Sequence, residues 1–128
     1  MTHETDRELL ELAAKAAGFG DPEKGRVTWT ESEYPPKSGK YGALWNFVGY
    51  MDTAQLWNPL TDDGDALRLA VKLGITLELH PRWVYARAVI SIHSWSVIEE
   101  GWGNGGDPYA ATRRAIIRAA AEIGRAMP

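Results

Sequence analysis

Apolar positions along the chain keep helical spacing in three stretches and alternate strictly in a fourth. In the first stretch Leu9, Leu12, Ala13 and Ala16 recur at intervals of three and four, on one side of a helix. Thr5 and Glu8 stand in capping-box spacing before this run, and Gly18 supplies a left-handed stop after it. The second stretch opens within Thr61-Asp-Asp-Gly-Asp65, where Thr61 or Asp62 can cap, and closes at Gly74. Leu67, Ala70 and Val71 project to one side of it and Ala66, Leu69 and Leu73 to the other, leaving Asp65, Arg68 and Lys72 as a polar strip. So wide an apolar arc predicts a helix covered by other elements nearly all round. The third begins at Asp107-Pro108, a cap followed by proline at the first helical position, and Tyr109, Ile116, Ala120, Ile123 and Met127 share one side of it.

Alternation dominates between the second and third helices. Ile75–His80 and Trp83–His93 read as an antiparallel hairpin turning near Pro81-Arg82. One face carries Ile75, Leu77, Leu79, Val84, Ala86, Ala88, Ile90 and Ile92; the other carries Glu78, His80, Trp83, Tyr85, Arg87, Ser91 and His93. Earlier, Val27–Thr30 and Gly42–Tyr50 are β-prone, and Tyr34–Lys40 reads as an exposed loop. The order is helix, strands, helix, hairpin, helix around one sheet, in a single α/β domain spanning residues 1–128. Its predicted core contains Leu67, Leu69, Val71, Leu77, Leu79, Ile90, Ile92, Ile116 and Ile123.

Composition narrows the classes. No cysteine occurs, which excludes a disulfide scaffold, thiol catalysis and cysteine-rich zinc folds. The opening residues lack the basic-then-apolar order of a signal peptide and no apolar run reaches about 18 residues, so a cytoplasmic protein without a membrane partner is expected. A net charge of −3 argues against a polymeric nucleic-acid partner, whose phosphates call for basic surface. The charge is nonetheless uneven. Residues 1–64 carry eleven acids against six Lys/Arg, whereas residues 65–128 carry six acids against eight, seven of these being arginine. Arginine pairs with phosphate as a planar fork and stacks on aromatic rings, and this half also holds Trp83, Trp95 and Trp102.

Several constellations invite chemistry. Gly101, Gly103 and Gly106 fit a G-x-G-x-x-G spacing before a helix, but the buried parallel strand and the downstream ribose-binding acid of a dinucleotide site are missing. Asp62, Asp63 and Asp65 lack the further ligands of a calcium loop and are explained by capping, so no metal is expected. Glu78 reads as the cross-strand ion partner of Arg87 rather than as an acid–base partner of His80 or His93. No catalytic residues and no cofactor are assigned. Trp45 and Trp57 are read as packing residues, while Trp83 and Trp102 are read as a contact surface.

The stretch Trp57-Asn-Pro-Leu-Thr-Asp-Asp-Gly-Asp-Ala-Leu-Arg-Leu-Ala-Val-Lys-Leu-Gly74 resembles the signature of small phage and prophage proteins described as a phage ABA-sandwich domain. Arg7–Gly18 is similar to that family's opening helix and Ala111–Gly124 to its closing helix, while segment 19–56 is longer and more aromatic than the family's pattern. The resemblance implies an α-β-α sandwich: a mainly antiparallel sheet with helices packed on both faces. It also implies a setting, a phage product in a bacterial host cytoplasm. The expected function is therefore an anti-defence protein that binds and sequesters a nucleotide-derived immune signal without cleaving it. A hydrolase of that signal, or a protein–protein inhibitor or adaptor, is the alternative. The expected ligand site comprises Trp83 and Trp102 for stacking, Arg87 and Arg113 for phosphate, and Asn104 for orientation. A homodimer is expected from the apolar surface of Trp83, Tyr85, Val89 and the tryptophan-bearing loop.

Overall fold

The computed structural model describes residues 5–18, 26–29, 44–47 and 55–128, with the backbone alone for 26–29, 44–47 and 55–56. The chain order is α1 (Asp6–Ala16), β1 (Arg26–Trp29), β2 (Leu44–Phe47), β3 (Gln55–Trp57), α2 (Asp63–Leu73), β4 (Thr76–Leu79), β5 (Trp83–Ser91), β6 (Ser94–Gly101) and α3 (Pro108–Ala126). These form three helices and two antiparallel three-stranded sheets, β1-β2-β3 and β4-β5-β6, where one sheet was expected. The Tyr34–Lys40 loop, the outer parts of the Gly42–Tyr50 strand and the packing of Trp45 lie outside the described residues.

Local signals set the helix ends. Thr5 accepts from the Glu8 backbone N–H at 3.1 Å, and the Glu8 carboxylate accepts from the Thr5 N–H at 2.8 Å, closing the capping box. Asp62 caps α2 by accepting from the Asp65 N–H, and Gly74 ends it in the left-handed region at φ 64°. Asp107 caps α3 with Pro108 behind it.

The hairpin forms as predicted, with the His80 N–H donating to the Trp83 carbonyl across the turn. Pairing of Leu77 with Ala86 and Leu79 with Val84 keeps the apolar set on one face. A third strand, β6, was not anticipated. Its sequence is polar enough to pass for a loop because only Ile98 is buried along it. α3 lies across the face carrying Val84, Ala86, Ala88 and Ile98, α1 packs on α3, and α2 lies beside α3. Alanines fill much of this core (Ala13, Ala86, Ala88, Ala115, Ala119, Ala120 and Ala121 are fully buried), which lets helix and sheet backbones approach closely. α1 and α3 run in the same direction: Arg114 bridges to Asp6 near their starts, and Lys15 donates to the Met127 carbonyl at their ends. The second helical layer expected on the opposite sheet face is not among the described residues.

Four predicted core residues are exposed instead. Leu67 and Val71 (73 % exposed) are left open because α2 buries only its Ala66/Leu69/Ala70 side. Leu79, the last residue of edge strand β4, is exposed. Ile92 is 90 % exposed because an irregularity between Val89 and Ser91 and the turn that follows end the alternation. Leu69 and Ile116 are buried, and Leu77, Ile90 and Ile123 pack half-buried against the core.

Candidate functional site

The segment between β3 and α2 is a knot of structural bonds. Trp57 and Asn58 are buried, and the Asn58 backbone N–H donates to Asp65 Oδ2 at 2.9 Å while its side-chain oxygen accepts from the Leu60 N–H. Asp65 also accepts from Arg68 at 2.7 Å. That hydrogen bond, reinforced by the charge of the same carboxylate, holds the Arg68 pKa above its ordinary value. Arg113 reaches back from α3 to the same segment, donating to the Leu60 carbonyl at 2.8 Å and to Asp63 at 2.6 Å. The three aspartates thus serve capping and pinning.

Beside this knot lies an open cleft of about 500 Å³ between α2, β4 and the start of α3. Its walls are apolar: Ala66 and Leu67 from α2, Leu77 and Leu79 from β4, Ile116 and Tyr109 from α3, and Trp102. His80, Asp63, Thr112 and Arg113 supply its polar atoms. A second concavity of about 300 Å³ is formed by Pro81, Arg82, Trp102 and the loop Gly103–Gly106. Trp102 lines both, its backbone N–H donating to the Arg82 carbonyl. The loop folds tightly over it. Gly105 has φ 82°, and a Cβ on Gly106 would lie 2.7 Å from the Trp102 Cβ. Of the three spaced glycines only Gly106 meets such a close approach, since a Cβ on Gly101 or Gly103 would have room, and β6, which precedes the loop, is an antiparallel edge strand.

The five predicted ligand residues divide. Trp102 and Arg113 line the apolar cleft, and Trp102 and Asn104 line the glycine-loop concavity. Trp83 and Arg87 do not join them, because their register places both side chains on the opposite face of the sheet. Arg113 donates to the Leu60 carbonyl and to Asp63. The other α3 arginines are likewise paired, Arg114 with Asp6, Arg118 with Glu100 and Arg125 with Glu122. The expected Glu78–Arg87 pair does not form either. Glu78 stands opposite Tyr85 and its Oε1 lies 3.3 Å from His80 Nε2, while Arg87 stands between Thr76 and Val97. Among the described residues Arg82 and Arg87 are the arginines of the second half that make no ion pair or side-chain hydrogen bond.

His80, Arg82 and Tyr109 enter these concavities without having been singled out for them. The His80 ring stacks on Trp83 with centroids 3.4 Å apart and an interplanar angle of 27°, and Trp83 in turn tilts against Tyr85 at 4.4 Å. Buried His80 Nε2 has no aligned hydrogen bond, and its contact with Glu78 becomes an ion pair only when the ring is protonated. Tyr109, expected on the buried side of α3, is exposed in that helix's first turn. The sequence signal for this cleft was the surplus of apolar residues on α2, more than one buried side can use.

Among the described residues no helix is long and apolar enough to cross a membrane. No protein family, curated protein or solved structure matches the chain.

Proposed function

We propose that the protein binds a small molecule carrying a flat ring and an anionic group, of the nucleotide kind, and holds it without transforming it. The carrying observation is the position of Trp102, one residue lining both the apolar cleft and the concavity that contains Arg82. A ring inserted beside Trp102 gains stacking and apolar contact, worth about 1–3 kcal/mol per base in comparable sites. An anionic group on the other side meets the uncommitted Arg82 guanidinium and the Gly103–Gly106 loop. The cleft's size falls within the roughly 300–1,000 Å³ of small-molecule sites. The setting, capture of a host defence signal by a phage protein, rests on the resemblance in residues 7–18, 57–74 and 111–124 alone.

The test is calorimetry with a panel of nucleoside monophosphates and cyclic dinucleotides, followed by heat release and chromatography of any bound ligand. Binding that weakens at least tenfold in Trp102→Ala, and severalfold in Arg82→Ala, with intact ligand recovered, is the expected result. Altered ligand would make the protein a hydrolase, and no binding across the panel would refute the proposal. A second reading, association with protein, is favoured by the exposed Val89, Trp95 and Val97 on the other sheet face.

A further inference from the structure

We infer that the outer face of the β4-β5-β6 sheet is a two-fold interface between two copies of this chain. The helix-covered face buries Val84, Ala86, Ala88 and Ile98, so alternation turns Trp83, Tyr85, Arg87 and Val89 of β5 outward. The register arranges that outer face in rows. Gly101 stands beside Trp83; Glu78 and Glu99 flank Tyr85; Thr76 and Val97 flank Arg87; Trp95 stands beside Val89. Val89, Val97 and Trp95 (61 % exposed) form one apolar end, and the His80–Trp83–Tyr85 stack forms the other. Between the two ends lie a guanidinium with no partner among the described residues and, one row away, two exposed carboxylates.

This pattern is complementary to itself under one rotation. A two-fold axis lying parallel to the face, across the strands and over Ala86, sets each strand upon its own copy and reverses the rows. The Arg87 row then meets the Tyr85 row of the second copy, and each guanidinium sits over a tyrosine ring between two carboxylates. Neighbouring strands are about 5 Å apart and packed sheets about 10 Å, spacings that an arginine side chain spans. The Trp83 row meets the Val89 row, so each Trp95 settles over Gly101 of the other copy. A Cβ there would have only the Arg82 carbonyl as a neighbour, 3.7 Å away, which leaves room for an indole. A second copy is therefore the occupant favoured by the charge pattern, and such isologous contacts are the commonest mode of self-association. Three short strands give a footprint below the roughly 800 Å² per partner of standard interfaces, so the dimer should be in measurable equilibrium with the monomer.

Sedimentation equilibrium of the full chain, from micromolar to submillimolar concentration at low salt, tests the inference independently of any ligand. The expected result is a mass rising from 14.2 kDa towards twice that value. Trp95→Lys and Arg87→Glu should each shift the equilibrium at least tenfold towards monomer, with unchanged far-UV circular dichroism because both positions are exposed. Glu99→Lys, which leaves the Glu78–His80 contact in place, should weaken it also. An equimolar mixture of Arg87→Glu and Glu99→Lys should associate more strongly than either variant alone, since opposite charges then face each other across the axis. A parent that stays monomeric overturns the interface, as does a Trp95→Lys protein that dimerises like the parent. A mixture no stronger than its components overturns the two-fold register.

Discussion

Gly124 and Gly64 are both helical glycines, and they should respond to alanine in opposite directions. A glycine-to-alanine change in a helix ordinarily stabilises it by up to about 1 kcal/mol through lower backbone entropy in the unfolded chain. At Gly124, in α3, an ideal Cβ would overlap the Leu12 carbonyl oxygen of α1 and lie 2.9 Å from the Leu12 carbonyl carbon. These are backbone atoms in a neighbouring helix, so no rotamer change relieves the contact. α1 must withdraw by on the order of 1 Å to restore ordinary separations. That loosens the packing around Ala13, Ala14, Ala17, Ala120 and Ala121. Overpacking of this kind costs about 1–3 kcal/mol. Taking the upper end, because only backbone is available to move, and subtracting the propensity gain leaves a net loss of about 2 kcal/mol. At Gly64, in the first turn of α2, the nearest atoms are the Arg68 guanidinium nitrogens at 3.1 Å. That side chain is 71 % exposed and can swing aside. Gly64→Ala should therefore gain a few tenths of a kcal/mol or more. Urea unfolding followed by circular dichroism, with the m-value compared between proteins, measures both. Shifts in the same direction for the two variants would refute the account of the α1–α3 contact.

Asp65→Ala leaves the buried Asn58 N–H without its acceptor and should cost about 1–3 kcal/mol in the same assay, whereas Asp65→Asn, which keeps an oxygen in place, should cost less. Arg113→Ala should destabilise by about 1 kcal/mol, discounted because Asp63 is largely exposed. Arg113→Lys should recover little of this, since an ammonium lacks the fork that serves Leu60 and Asp63 together, and equal stability of the Lys variant and the parent would contradict that geometry.

The three helices with their caps and the turn at Pro81-Arg82 were legible in the sequence because the groups involved lie within a few residues of each other. Thr5 and Glu8 are three apart, Asp62 caps Asp65 at the same spacing, and Gly74 meets its own helix end. Strict alternation also fixed which face of β5 is buried, since successive residues of a strand can only point to opposite sides. What periodicity cannot supply is the neighbour. It gives an angle about a helix axis, so α2 looked apolar all round, and only its placement beside α3 decided that Ala66, Leu69 and Ala70 are covered while Leu67 and Val71 are not. The arginines show the same division. Their number suggested an anion site, but the carboxylates that occupy Arg113 and Arg114 lie 50 and 108 residues away along the chain. β6 is an edge strand with few buried residues, so it carries little of the apolar signal by which strands are read. Trp83 and Trp102, alike in the sequence, end on different faces of the sheet because one lies within an alternating strand and the other beyond the end of its neighbour, against α3 and the core. The local bonds were written in the chain; the choice of which apolar and charged side chains stay open to a ligand or a second copy was made by packing between segments far apart in it.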